Sequence, residues 1–205
     1  MTVNIFYILA VFCIALLATP VQSADWVWES ANGLGFIAFA GLLILSSNGK
    51  NRKGHSILHK WLGIAVLMAL VFHVVWFLGS EFLLIEYLKL GSPPHMAIGI
   101  VAFMCIALLS ISSLKAMRGR AYINNGGFRI AHRYLSIASI LLSALHIVLS
   151  GYYFVSITQY LLLLMIVVLS YLVPAVPGNK SQAWGVLIVA ISALLMFVWL
   201  RGLGR

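Results

Sequence analysis

Four of the six histidines fall in two apolar stretches with the same internal spacing. Residues 57–75 read ILHKWLGIAVLMALVFHVV, and residues 130–148 read IAHRYLSIASILLSALHIV. At an offset of 73 residues, His59 aligns with His132 and His73 with His146. Ile57/Ile130, Leu62/Leu135, Ile64/Ile137, Ala65/Ala138 and Val75/Val148 are identical, while Lys60 meets Arg133 and Trp61 meets Tyr134. In each copy the two histidines are 14 residues apart. On a helix that is about 3.9 turns, so the two side chains lie ~40° apart in azimuth and ~21 Å apart along the axis. Each copy therefore shows two imidazoles to one neighbour, in two layers. Two such helices face to face, running the same way, make two stacked pairs, His59 with His132 and His73 with His146. Two imidazoles approaching from opposite sides in an apolar setting suit the two axial positions of a haem iron. Zinc asks for four ligands, or three and a water, and no carboxylate or cysteine stands at those depths. A proton relay at membrane depth ordinarily recruits Asp or Glu. The competing reading is structural, since a lone membrane histidine is more often a satisfied interhelical hydrogen-bonder. Four at matched spacing on two related helices favour ligation.

The elements that must position these side chains are membrane helices. The chain has 205 residues, 63% hydrophobic and 8% charged, against ~25% charged in a soluble domain. Too little charge is present to build a water-facing surface, which makes the chain an integral membrane protein. It also excludes a sizeable soluble domain. Cys13 and Cys105 lie far apart in apolar runs, with no CxxC or CxxCH, which argues against thiolate metal sites and covalently attached haem. The fold class expected is all-α, a polytopic transmembrane bundle of six core helices, or seven with the N-terminal run.

Residues 1–24 read as a signal peptide, with small residues Ser23 and Ala24 near a cleavage region, or as a first transmembrane helix; no Lys or Arg precedes the run. Residues 25–205 then form one domain. DWVWES at 25–30 has the polar and aromatic character of a membrane interface. Apolar helices are expected over 32–47, 57–79, 95–114, 130–151, 158–173 and 183–200, with Pro174, Pro177 and Gly178 breaking the chain before the last. Alternation of the helices gathers ten Lys and Arg on one side, among them Lys50, Arg52, Lys53, Lys115, Arg118, Arg120 and Lys180, and leaves Lys89, Arg201 and Arg205 on the other. The basic side is cytoplasmic by the positive-inside rule. All four acids (Asp25, Glu29, Glu81 and Glu86) then fall outside. The net charge of +9 thus describes membrane topology, not nucleic-acid binding. One helix separates the two copies and returns the chain, so the copies run parallel, with His59 and His132 in the inner leaflet.

Other residues support this arrangement. Lys60, Arg133 and Arg129 stand beside the inner histidines, where haem propionates need cations. Gly63 and Ser136, each four residues after an inner histidine, lie on the ligand face and admit a flat macrocycle. His55 aligns with Phe128 and is read as an interfacial residue. His95, after Pro93 and Pro94, either caps the interface or meets the outer haem or an electron acceptor. Trp76, Tyr152 and Tyr153 read as belt aromatics.

Paired H-x13-H helices, separated by one return helix in a six-helix membrane domain, resemble the ferric reductase-like transmembrane domain and the wider group of di-haem membrane cytochromes b. The resemblance spans about residues 30–175. It implies His59, His73, His132 and His146 as iron ligands, two haem b groups, and electron transfer across the inner membrane as an oxidoreductase component. The chain departs from the group in carrying neither GxGxxG nor PEWY. Electrons are then expected from a separate cytoplasmic flavoprotein or from quinol, and they would pass to ferric iron or a periplasmic acceptor. The alternative is a haem-bearing membrane-anchor subunit that links the quinone pool to a peripheral oxidoreductase.

Overall fold

The computed structural model describes residues 2–17, 26–48, 56–80, 89, 91–113, 125–172 and 180–202. Seven helices are described: α1 Thr2–Leu16, α2 Trp26–Asn48, α3 Ser56–Ser80, α4 Pro94–Ser112, α5 Asn125–Ser150, α6 Ile157–Leu172 and α7 Lys180–Gly202. Among the described residues there is no strand, so the protein is an all-α multi-pass membrane bundle, as its composition demands. Asp25, His55, Glu81, Glu86, Pro174, Pro177, Gly178, the residues around Ser23 and Ala24, and the basic loops at 49–55 and 114–124 lie outside the described residues.

Five helices (α2, α3, α4, α5 and α7) are long and apolar enough to cross a membrane. The bundle is the expected polytopic one of seven helices with the N-terminal run, two of them short. With 16 residues, α6 is ~24 Å long, short of the ~30 Å hydrocarbon thickness. It is nevertheless well seated, burying Leu163, Ile166 and Val167 and packing on α1 and α2. The 15-residue α1 is likewise short and buries Tyr7, Val11, Phe12 and Ala15.

Helix α2 is the axis of the bundle. Most of its span is buried, whereas α3, α4 and α5 bury little of theirs. The tightest pairings are α2 with α3 and α4 with α5. The histidine helices α3 and α5 are not among the closely packed pairs, so the core consists of two helical hairpins with a space between their second members. Proline at the first position of α4, where a helix needs no amide donor, sets its start. Gly151, at φ +70°, ends α5 in the left-handed conformation that glycine tolerates. Its turn carries residues 152–156 back over the bundle.

Three expectations are corrected at this end. Helix α2 begins at Trp26, not near residue 32, and so takes in most of the DWVWES segment. Glu29 is 0% exposed and no interfacial residue. Its Oε1 accepts from Arg201 Nε at 3.1 Å, and its Oε2 accepts from Tyr153 Oη–H at 2.8 Å. Tyr153 is therefore buried and not a belt aromatic. Burial and then the neighbouring Glu29 carboxylate push its phenol well above the usual tyrosine range, so it remains the donor. The Arg201 guanidinium also lies 4.7 Å from the Tyr153 ring centroid. The physical reason for the corrections at Glu29 and Tyr153 is that charges taken out of water must be satisfied by buried partners. Gln159 secures the same turn: its Oε1 accepts from the amides of Val155 and Ser156, and its Nε2 donates to the carbonyls of Tyr153 and Ile14.

The Glu29–Arg201 contact also places the end of α7 at the same end of the bundle as the start of α2. A reporter that fluoresces only in the cytoplasm should light when fused after residue 120 and stay dark when fused after residue 202. Removing one partner of a buried ion pair costs ~3–5 kcal/mol. Arg201→Leu should accordingly lower thermal stability in detergent sharply, and Arg201→Leu with Glu29→Leu should recover most of it. Equal losses in the single and double variants would contradict the pairing.

Candidate functional site

The two outer-layer histidines of the repeat are held the same way. His73 Nδ1 donates to the Ala31 carbonyl of α2 at 2.7 Å. His146 Nδ1 donates to the His95 carbonyl of α4 at 2.6 Å. A carbonyl can only accept, so the proton on each ring is assigned to Nδ1 by its partner. Nε2 is then the nitrogen with a free lone pair, which is the tautomer a metal-ligating histidine needs.

Each accepting carbonyl lies four residues before a glycine, Ala31 before Gly35 and His95 before Gly99. A Cβ built on Gly35 would stand 3.1 Å from His73 Nδ1, and one on Gly99 would stand 2.7 Å from His146 Nδ1. The rings thus lie directly on bare backbone.

His73 and His146 line one cavity, and its walls repeat the duplication. From α3 come Leu70, His73, Val74 and Phe77; from α5 come Ser143, His146, Ile147 and Ser150, the same four positions 73 residues on. From α2 come Gly35, Ala38, Phe39 and Leu42; from α4 come Gly99, Ala102, Phe103 and Ile106, at an offset of 64 residues. All four helices therefore present matching positions to one space, related by an approximate two-fold axis between the hairpins.

The other pair meets as its spacing requires. The rings of His59 and His132 have centroids 6.1 Å apart, inclined at 52°. Two imidazoles on opposite sides of one metal, with metal–nitrogen bonds of ~2 Å, place their centroids ~6 Å apart. Distance alone does not select a ligand pair, because His95 and His146 are also 6.1 Å apart. There, however, the Nδ1 of His146 is turned to the His95 backbone, so a hydrogen bond fills the approach. His95 thereby takes part through its carbonyl, and its ring lines the cavity. Phe128 stacks near His132, with centroids 5.3 Å apart. Among the described residues no three His, Cys, Asp or Glu side chains converge as a metal cage. What the described residues bring together is imidazoles, His59 beside His132 and His73 with His146 in one cavity.

The remaining predicted residues are placed as follows. Lys60, Arg129 and Arg133 are exposed at the His59–His132 end. Gly63 has open space where a Cβ would stand, and Ser136 is half-buried. Trp76 is partly exposed, and so is Tyr152, which also contacts Trp28 edge-on at 5.5 Å. Sequence reasoning missed the α2 and α4 contributions, Gly35 and Gly99 above all. A signal was present in the identities Gly35/Gly99, Ala38/Ala102, Phe39/Phe103, Leu45/Leu109 and Ser46/Ser110, which extend the repeat to the preceding helices.

Residues 34–125 match the family model described as ferric reductase like transmembrane component. The resemblance expected from the histidine spacing is borne out over that segment. The match takes in α3 and α4 and the last two thirds of α2, hence His59, His73 and His95; His132 and His146 lie beyond it on α5 and are reached through the internal repeat. No curated protein and no solved structure matches the chain.

Proposed function

We propose that this ferric reductase-like chain conducts electrons across a bacterial-type inner membrane through two bis-histidine haem b groups. His59 and His132 would hold one near the cytoplasmic side, and His73 and His146 the other near the outer side. The observation that carries the reading is the cavity between the hairpins, lined by matching positions of all four helices, with both imidazoles tied through Nδ1, which leaves Nε2 to ligate. When bound, a haem supplies reversible one-electron chemistry at iron. The protein's own residues do the rest. Ala31 and His95 carbonyls hold the imidazoles in the ligating tautomer and raise their basicity. Phe39, Phe103, Leu42 and Ile106 wall the space with hydrocarbon and exclude water. Lys60, Arg129 and Arg133, exposed at the cytoplasmic end, would pair with propionates, while Gly63 and Ser136 leave room beside the inner histidines. The two layers lie ~21 Å apart along the helix axis, by the rise per residue. The electron donor would be a separate flavoprotein or quinol, and the acceptor ferric iron or a periplasmic partner.

Pyridine haemochrome analysis of the purified protein should give about two b haems per chain, with a dithionite-reduced spectrum to match. His73→Leu should remove the outer haem and leave the inner one, halving the content. A well-folded wild-type protein without haem would refute the assignment.

A further inference from the structure

The glycine–carbonyl pairs reach further than the ligands they touch. We infer that Gly35 and Gly99 are positioning residues for the His73–His146 pair, each baring a backbone carbonyl that sets the orientation of one ring. The inference rests on the haem reading for its consequence, and on the structure alone for its geometry.

In a helix every Cα–Cβ bond leans toward the N-terminus. The side chain at i+4 therefore stands over the carbonyl of residue i. That carbonyl already accepts one bond within its helix and keeps a second lone pair, which an ordinary residue at i+4 shields. With glycine at 35 and 99 the carbonyls of Ala31 and His95 are open to the side. The imidazole of the neighbouring helix slides over the glycine and donates to them at 2.7 and 2.6 Å. The arrangement occurs once in each hairpin, at equivalent positions, so it belongs to the duplicated unit.

The two brackets differ in tightness. At Gly99 an added Cβ would lie 2.7 Å from Nδ1 and 2.8 Å from Cε1 of His146, so the ring has to leave. At Gly35 the corresponding distances to His73 are both 3.1 Å, which a shift of a few tenths of an ångström relieves. Alanine should thus displace His146 from its carbonyl and only tilt His73. Gly41 and Gly79 provide controls. A Cβ on Gly41 would collide with the Val66 side chain in the same α2–α3 contact, touching no histidine, and a Cβ on Gly79 meets nothing within 4 Å.

The test compares full-length wild type, G99A, G35A, G41A, G79A and H146L in detergent, by haem content and by electron paramagnetic resonance of the ferric protein. G99A should lose the half of the haem, and the low-spin signal, that H146L loses. G35A should keep full haem content but shift one low-spin signal, because the signal follows the angle between the two ligand planes. G41A and G79A should keep wild-type spectra. Wild-type signals in both G99A and G35A would overturn the inference, as would a G41A spectrum reproducing that of G99A; if G99A fails to fold, G35A against G41A decides. Histidine-labelled protein prepared without haem supplies an independent readout. Its 15N spectrum should show His146 protonated at Nδ1 in wild type and altered in G99A, or in G35A for His73. A haem-free wild type with these 15N changes would refute the electron-transfer reading and keep the positioning role, whereas unchanged 15N spectra would remove the role itself.

Discussion

A neutral imidazole carries one N–H, and inside a membrane bundle that N–H has almost nowhere to go. Leaving it unpaired in an apolar setting costs several kcal/mol. Helix backbones have already spent their amides and one lone pair of each carbonyl on themselves. The second lone pair is the remaining currency, and it is usually screened by the side chain one turn further on. His73 and His146 reach it only because Gly35 and Gly99 have no side chain to place there. The same contact explains why α2 packs so closely on α3 and α4 on α5, since a ring lying on glycine brings the helix axes together. With each histidine helix drawn to its own partner, α3 and α5 stand apart from one another. The cavity between them is thus a consequence of where two protons are stored.

The opposite kind of polar burial closes the end of the bundle. Glu29, Arg201 and Tyr153 come from α2, the end of α7 and the turn after α5, and they are joined only in the folded chain. An ion pair of this kind contributes little net stability against well-packed hydrocarbon, but it penalises every arrangement that separates its partners. Here it fixes the far end of the last helix to the central one. Phe36, Phe197 and Phe12 stack around it edge-on, which keeps water from competing for the carboxylate. The turn so held contributes Tyr152 and Tyr153 to the cavity wall, linking the closure of the bundle to the shape of the site.

Much of this was legible in the residue pattern. Low charge and long apolar runs dictate membrane helices, and equal histidine spacing on two parallel stretches dictates that the histidines share faces and layers; the 6.1 Å approach of His59 and His132 follows from period and direction alone. What stayed hidden depended on contacts between helices of different sequence. An apolar-rich helix does not announce which of its glycines faces a ring, and Gly33 or Gly41 looks no different from Gly35 in isolation. Glu29 was read as interfacial because a carboxylate near a helix start ordinarily seeks water. Its partner lies 172 residues away, too far for any local rule to pair them. Tyr153 was misread with it, for the same reason.

The duplication has a further consequence for the cavity's chemistry. Backbone positions on the two sides correspond, but the side chains have diverged. Where the α2–α3 hairpin lines the cavity with Asn32, Leu70 and Phe77, the α4–α5 hairpin presents Met96, Ser143 and Ser150 at the same places. One wall carries an amide beside hydrocarbon and a phenyl ring; the other carries two hydroxyls and a thioether. The Ser150 hydroxyl is itself held, donating to the Ile147 carbonyl at 2.7 Å. A two-fold scaffold with like walls would bind a flat group equally in two orientations. Polar groups that differ between the walls remove that degeneracy, because an edge able to accept a hydrogen bond is better solvated against Ser143 than against Leu70. Symmetry thus accounts for the paired histidines, and its breaking supplies the cavity with a direction.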